Sequence, residues 1–226
     1  MLQVYSVSDR AIQIDCPACS VSELMALADA LTVQLIQLKW PLFQVIQADQ
    51  SFSLVFLEPP VGQLCLSAMV AVLKPLLPKL QQATNTLKIP VRHHRLVVNY
   101  GGSAGQDLDW IAAQTGLSTR ELISLHSSVI YTVQFLGFLP GFAYLSGLPD
   151  LLHLPRRSSP RSRVPAGTLA IGAGYCAVYP VESPGGWHLL GHVEQVLFDP
   201  ESADTSDDPC LLHPGDTVQF IQAEHA

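Results

Sequence analysis

The sequence predicts an α+β unit at its start followed by a mainly-β unit, and three observations carry that prediction. Residues 1–88 read as short strands around two amphipathic helices, while residues 89–226 contain many β-rich runs punctuated by glycine and proline. Between them "QQATNTLKIP", polar and closed by Pro90, reads as a linker. A chain of 226 residues holds one large domain or two small ones, each with its own core.

In the first unit "LQVYSVSDRAIQID" reads as strand, turn and strand. Ser20 and Glu23 then form a capping box that opens a helix with Leu24, Leu27, Ala28, Leu31, Leu35 and Leu38 on one face. "FQVIQADQSFSLVFL" returns as two strands, and "GQLCLSAMVAVL" is a second helix that Pro75 is expected to end or kink. Such an order predicts an antiparallel sheet with helices on one face.

The second unit begins with "VRHHRLVVNYGG", and its glycine-rich turn before "DLDWIAAQTG" makes Asp107 the expected helix cap. A second capping box, Ser118 and Glu121, opens "STRELISLHSS". The two helices have the spacing of a DNA-reading helix-turn-helix, but the second offers only Arg120 against Glu121, so a plain helical hairpin is favoured. Then follow "VIYTVQFLGF", "GTLAIG", "CAVYPV", "WHLLGHV", "QVLFD" and "DTVQFIQ", a series expected to close as a barrel or sandwich.

Composition narrows the function classes. The chain is 48% hydrophobic and 14% charged, which favours contact with a partner protein. Its net charge of −7 disfavours sequence-blind binding to nucleic acid or an anionic membrane. The start lacks a basic and apolar leader pattern, and the longest apolar stretch is interrupted by Lys74 and Pro75, so a cytoplasmic protein is expected. Five scattered cysteines predict reduced thiols, and the "CPAC" pair at 16–19 has no second pair to complete a zinc site. No metal ligand set is evident. Two ordinary half-buried thiols are favoured over a redox pair.

Against this acidic background the arginines are concentrated. Arg156, Arg157, Arg161 and Arg163 fall within eight residues, and no acid lies between Asp150 and Glu182. Pro155, Pro160 and Pro165 hold that segment extended, and the rigid guanidinium fork suits carboxylate or phosphate. Just upstream, "GFLPGFAYLSG" combines Gly137, Gly141 and Gly147 with Phe138, Phe142 and Tyr144: a loop by its glycines whose rings need cover. "SPGGWHLLGH" presents Trp187 from a turn, followed by His188 and His192 on one face of a strand. His126 ends the second capped helix, where the helix dipole favours an imidazolium.

The order "HSSVIYTVQFLGFLPGFAYLSGLP", "PRRSSPRSRVPAGTLAIGAG", "VYPVESPGGWHLLGH" and "LFDP…LLHPGDTVQF", with "VVNYGGSAGQDL" before it, resembles the family of the 5-oxoprolinase B subunit, also called allophanate hydrolase subunit 1 or KipI-like. The resemblance covers most of residues 91–222 and is looser over the first unit. It implies an N-terminal α+β domain followed by a cyclophilin-like β-barrel. It also implies a partner, the 5-oxoprolinase C subunit (allophanate hydrolase subunit 2). Together with the A subunit, such an assembly hydrolyses 5-oxo-L-proline to L-glutamate at the expense of ATP, and the chain alone is inactive. Under that reading Arg156, Arg157 and Arg161 bind anionic groups. Phe138, Gly141, Phe142 and Trp187 wall the pocket, and His126 and Arg157 serve catalysis. The KipI name implies an alternative, an inhibitor docking a sensor histidine kinase, and related modules in urea carboxylase imply an allophanate or urea amidolyase role. A prolyl isomerase would rest on fold analogy alone. The chain departs from the family with Ala173 at a usual glycine, Tyr175 and Cys176 at a usual Gln-Thr pair, and His188 where Gln is common.

Overall fold

The computed structural model describes residues 2–84, 90–202 and 208–224, and its contacts divide the chain into two units, Met1–Pro90 and Val91–Ala226. Alternation of apolar and polar residues builds the sheet of the first unit. Its strands are β1 (Gln3–Ser6), β2 (Ala11–Asp15), β3 (Phe43–Ala48) and β4 (Ser51–Phe56), antiparallel in the order β1-β2-β4-β3. Ile12 and Ile14 of β2 and Phe52, Leu54 and Phe56 of β4 point to one face. Onto that face pack helices α1 (Val21–Gln37), through Leu24, Leu27, Leu31 and Leu35, and α2 (Leu66–Thr84), through Met69, Leu73 and Leu77. Each such leucine contributes on the order of 2 kcal/mol by leaving water.

The Ser20–Glu23 capping box forms at the start of α1. Leu38, expected on the buried face, sits at the C-cap past the last turn and is exposed. Helix α2 also departs from expectation, because it does not end at Pro75 but runs through Pro75 and Pro78 to Thr84. Both prolines are exposed, as are Ala71 and Lys74, the residues whose carbonyls lose their helical donors. Leu73 and Leu77 meanwhile hold the helix on the core.

The second unit contains β5 (His93–Tyr100), α3 (Leu108–Thr115), α4 (Thr119–Ser127), β6 (Ile130–Leu136) and β7 (Ala143–Ser146). These are followed by β8 (Arg161–Val164), β9 (Thr168–Gly172), β10 (Tyr175–Val178), β11 (Ser183–Gly185), β12 (His188–Val193) and β13 (Thr217–Gln222). Seven of its strands close a barrel in the order β10-β7-β6-β13-β5-β12-β9, with β10 pairing back to β9. The fold is thus an α+β unit followed by a mainly-β barrel, as expected. All the barrel pairings are antiparallel except β13 with β5, which run parallel from Thr217 beside His93 to Gln222 beside Val98. "AYLS", inside the glycine-rich aromatic stretch, is barrel strand β7, whereas "QVLFD" makes, among the described residues, a single bridge, Phe198 to Cys210.

Alternation along the barrel strands decides what lies on each side. Leu169, Ile171, Cys176, Val178 and Leu190 join the interior core with Leu96, Val98, Tyr131 and Phe220. Ala170, Ala177 and Leu189 instead face a second cluster containing Phe142, Val164, Tyr179 and Trp187. That second cluster underlies the candidate site.

Candidate functional site

Two alanines, Ala170 and Ala177, leave room on the outer barrel wall for rings. Phe142 fills the centre, with centroids 5.1 Å from Tyr144, 5.3 Å from Tyr179 and 5.7 Å from Trp187, all at steep edge-to-face angles. Glycine is required where those rings touch backbone: a Cβ on Gly185 would lie 2.2 Å from the Tyr179 hydroxyl, and one on Gly172 would lie 2.9 Å from Trp187. Above the rings is a cleft of about 230 Å³, whose walls include Phe138, Tyr144, Tyr179 and Trp187 and whose rim carries Arg156 and Arg157. The same two arginines also border a second cavity of about 460 Å³, with Asp107, Trp110, Ser158 and His188 around it. The arginine segment is therefore a ridge between two compartments. Its backbone is held by the Arg157 N–H donating to the Gly186 carbonyl at 2.8 Å.

The four arginines are not equivalent. Buried Asp107 accepts from Arg161 Nη2 at 2.8 Å and Arg157 Nη1 at 3.3 Å through one oxygen, and from the Leu189 N–H at 2.8 Å through the other. Burial pushes the Asp107 carboxyl up, but the bonds from Arg161 and Leu189 and both guanidinium charges outweigh it, so its pKa lies below the usual carboxylate value. Arg163 pairs with Glu182 at 2.6 Å. Arg156 has no acidic partner among the described residues; its guanidinium carbon lies 5.8 Å from the Trp187 ring centroid. Arg157 and Arg161 share the one carboxylate of Asp107, whereas Arg156 lies at the cleft with no acid beside it among the described residues.

Asp107 thus does something other than what its position predicted. It stands at the N-cap of α3, but its side chain makes no cap bond, since both oxygens are committed to the arginines and β12. Trp110, two residues into that helix from Leu108, stacks on His188 at 4.5 Å and 14° and is missed by any motif. A signal for Asp107 was present: an arginine cluster with no acid between Asp150 and Glu182 has to draw its counter-charge from elsewhere in the chain.

His126 is a correction. It is fully buried in the barrel interior and borders neither cavity. Its Nδ1 lies 2.8 Å from the Tyr100 hydroxyl and its Nε2 3.4 Å from Cys176 Sγ, while the Tyr131 hydroxyl donates to its carbonyl at 2.9 Å. Desolvation lowers its pKa to about 3, so the helix terminus is overruled and the ring is neutral. Cys176 is that histidine's buried neighbour, and Tyr175 packs edge-on against Phe135 and Tyr144.

Phe142 and Trp187 are buried ring walls and Phe138 is the exposed rim, held at φ +70°. Gly141, at φ +75°, is outside both cavities. A Cβ there would lie 2.6 Å from Phe198, so it serves loop packing rather than ligand approach. In the first unit burial pushes the Cys16 thiol up to about 12 and raises Cys19 as well, so neither is an activated nucleophile. Among the described residues no group of three or more His, Cys, Asp or Glu could hold a metal ion, and no helix is long and apolar enough to cross a membrane.

The family model for the carboxyltransferase domain, subdomain C and D, matches residues 2–212. A protein of Escherichia coli O157:H7 named as the B subunit of 5-oxoprolinase is 49% identical over 140 residues, which span 62% of this chain and 62% of that relative's length. Its Haemophilus influenzae namesake is 46% identical over 151 residues, 66% of this chain and 69% of the relative. Among solved structures, TTHA0988 superposes with a TM-score of 0.72 at 30% identity, covering 96% of this chain and 40% of that one. The chain therefore belongs to the carboxyltransferase subdomain C and D family, and these two relatives are named as B subunits of 5-oxoprolinase.

Proposed function

We propose that this chain is the B subunit of an ATP-dependent 5-oxoprolinase and acts with the A and C subunits to hydrolyse 5-oxo-L-proline to L-glutamate. The observation that carries the reading is the guanidinium of Arg156, without an acidic partner among the described residues and set over Trp187 at the mouth of an aromatic cleft of about 230 Å³. A space that small suits a compact ring bearing one carboxylate, and a guanidinium fork binds a carboxylate in a fixed plane. The names of the curated relatives support the same substrate.

Under this reading Arg156 takes the carboxylate, and Phe142, Tyr144 and Trp187 exclude water from the ring. Arg157 and Arg161 are held in place by Asp107, whose one carboxylate leaves the pair with a net positive charge that adds to the potential of the ridge. ATP, bound in the assembly, supplies the drive for opening a stable lactam. Among the described residues that line the cleft there is no histidine, and under this reading proton transfer is the work of another member of the assembly.

The test is reconstitution of the A, B and C subunits, with glutamate release from 5-oxoproline followed as each is omitted. Arg156→Ala should raise KM about tenfold to a hundredfold with a melting temperature close to that of the parent. Release of glutamate at the full rate without this chain, or an unchanged KM in Arg156→Ala, would refute the assignment. A chain inactive in that trio but able to block a sensor kinase's autophosphorylation would instead be an inhibitor.

A further inference from the structure

Three buried polar atoms without a partner among the described residues gather at this ridge: Arg157 Nε, Arg161 Nη1 and His188 Nδ1. Buried polar groups are nearly always paired, so such a group marks a place where a ligand or ordered water completes the bonding. The two arginine atoms are donors. His188 Nδ1 is of the opposite kind, and its chemistry is set by the other end of the ring.

His188 is only 4% exposed, and its Nε2 lies 2.9 Å from the Pro155 carbonyl oxygen. A carbonyl only accepts, so Nε2 carries the hydrogen and Nδ1 of the neutral ring carries a lone pair. That lone pair is satisfied only by an N–H or O–H donor. The ring cannot turn to find one elsewhere, because it is fixed both by the bond to Pro155 and by the stack on Trp110. Pro155 directly precedes Arg156, so the same bond ties the acceptor to the backbone that carries the free cation. Both side chains border the cavity of about 460 Å³.

We propose that His188 is a specificity-determining residue that accepts a hydrogen bond from the substrate's ring N–H while Arg156 holds the carboxylate. The proposal rests on the 5-oxoprolinase reading and extends it to the ligand class: a cyclic secondary amide whose N–H and carboxylate flank one carbon. The ring N–H then points from the ridge toward His188, into the cavity that Arg156 and His188 both border. A lactone of the same shape is rejected, because its ring oxygen sets one lone pair against another.

The experiment uses the assembled complex without ATP. Calorimetry measures binding of 5-oxo-L-proline and of 5-oxotetrahydrofuran-2-carboxylate, the lactone with the same ring and carboxylate. The parent complex should prefer the lactam by about tenfold to a hundredfold. His188→Phe, which keeps a ring to stack on Trp110 but no acceptor, should reduce that preference to within about twofold, while binding of both ligands still depends on Arg156. His188→Gln, whose carboxamide oxygen can accept, should retain a severalfold preference. Equal affinity of the parent complex for the two ligands overturns the proposal and leaves the 5-oxoprolinase reading standing, as does an unchanged ratio in His188→Phe; Nδ1 is then satisfied by water. A parent complex that binds neither ligand overturns the reading, and the proposal with it. If His188→Phe fails to assemble, the parent ratio and His188→Gln decide the matter: loss of preference in the parent refutes it, and its retention in both supports it.

Discussion

The two units of this chain bury different kinds of side chain. In the N-terminal unit the buried polar residues among those described are Ser51 and Thr84, the latter satisfied within its own helix by donating to the Leu80 carbonyl at 3.0 Å. In the barrel unit Asp107, His126, His188 and Asp216 are all buried, and each depends on a partner distant in sequence. Burying an ionisable group is unfavourable unless it is paired. The contrast separates the two units: the first is an apolar sandwich, and the second buries carboxylates and imidazoles that its own distant partners hold in place.

The largest expected effect that tests this contrast is at Asp107. Asp107→Ala leaves two guanidiniums and the Leu189 N–H without their acceptor. It should lower stability by about 3 kcal/mol in a denaturant melt and glutamate release by about a hundredfold or more. The parent pairing also has a pH signature. Because the folded pKa is depressed, its contribution is complete above the ordinary carboxylate range and is lost as pH falls through the lowered value, a loss that Asp107→Asn should abolish.

Leu31→Ala in the N-terminal core should remove about 3 kcal/mol by cavity formation, with KM for substrate unchanged in the assembly. A changed KM would mean that the two units are not separate in function. Next is His126, with a pKa of about 3 in the fold against an ordinary 6.5. From about pH 6.5 down to about 3 the unfolded chain takes up a proton that the native ring refuses. Stability should therefore fall by about 1.4 kcal/mol per pH unit from this group alone. His126→Phe should flatten that limb while leaving KM within about twofold; a large KM change would return His126 to the site. The smallest effect is at the turn between β9 and β10, where Ala173 is held at φ +53°. Ala173→Gly relieves a left-handed alanine and should stabilise the barrel unit by about 0.5–1 kcal/mol, read from its melting temperature.

Much of this architecture is legible in local spacing. Both capping boxes form as their Ser-x-x-Glu patterns predict, at Ser20 with Glu23 and at Ser118 with Glu121. The leucine face of α1 and the alternation of β2 and β4 also appear where the pattern places them, because helix and strand periods act over only a few residues. The site is legible only in outline. The stretch "GFLPGFAYLSG" is divided in the fold: Phe138 stays at the rim, Phe142 becomes the centre of the ring cluster, and Tyr144 joins a barrel strand.

By itself, then, the sequence determined the order of an α+β sandwich and a barrel, the concentration of arginines, and the family to which they belong. Which arginine lacks an acidic partner among the described residues, and which histidine borders a cavity, were decided only by the tertiary structure. Asp107 meets Arg161 across 54 residues of chain. His126, well placed for a proton by its helix end, is taken inside by barrel closure. The physical reason is one of range: periodicity and capping are satisfied between near neighbours, whereas charge compensation and desolvation depend on whatever the closed barrel brings together.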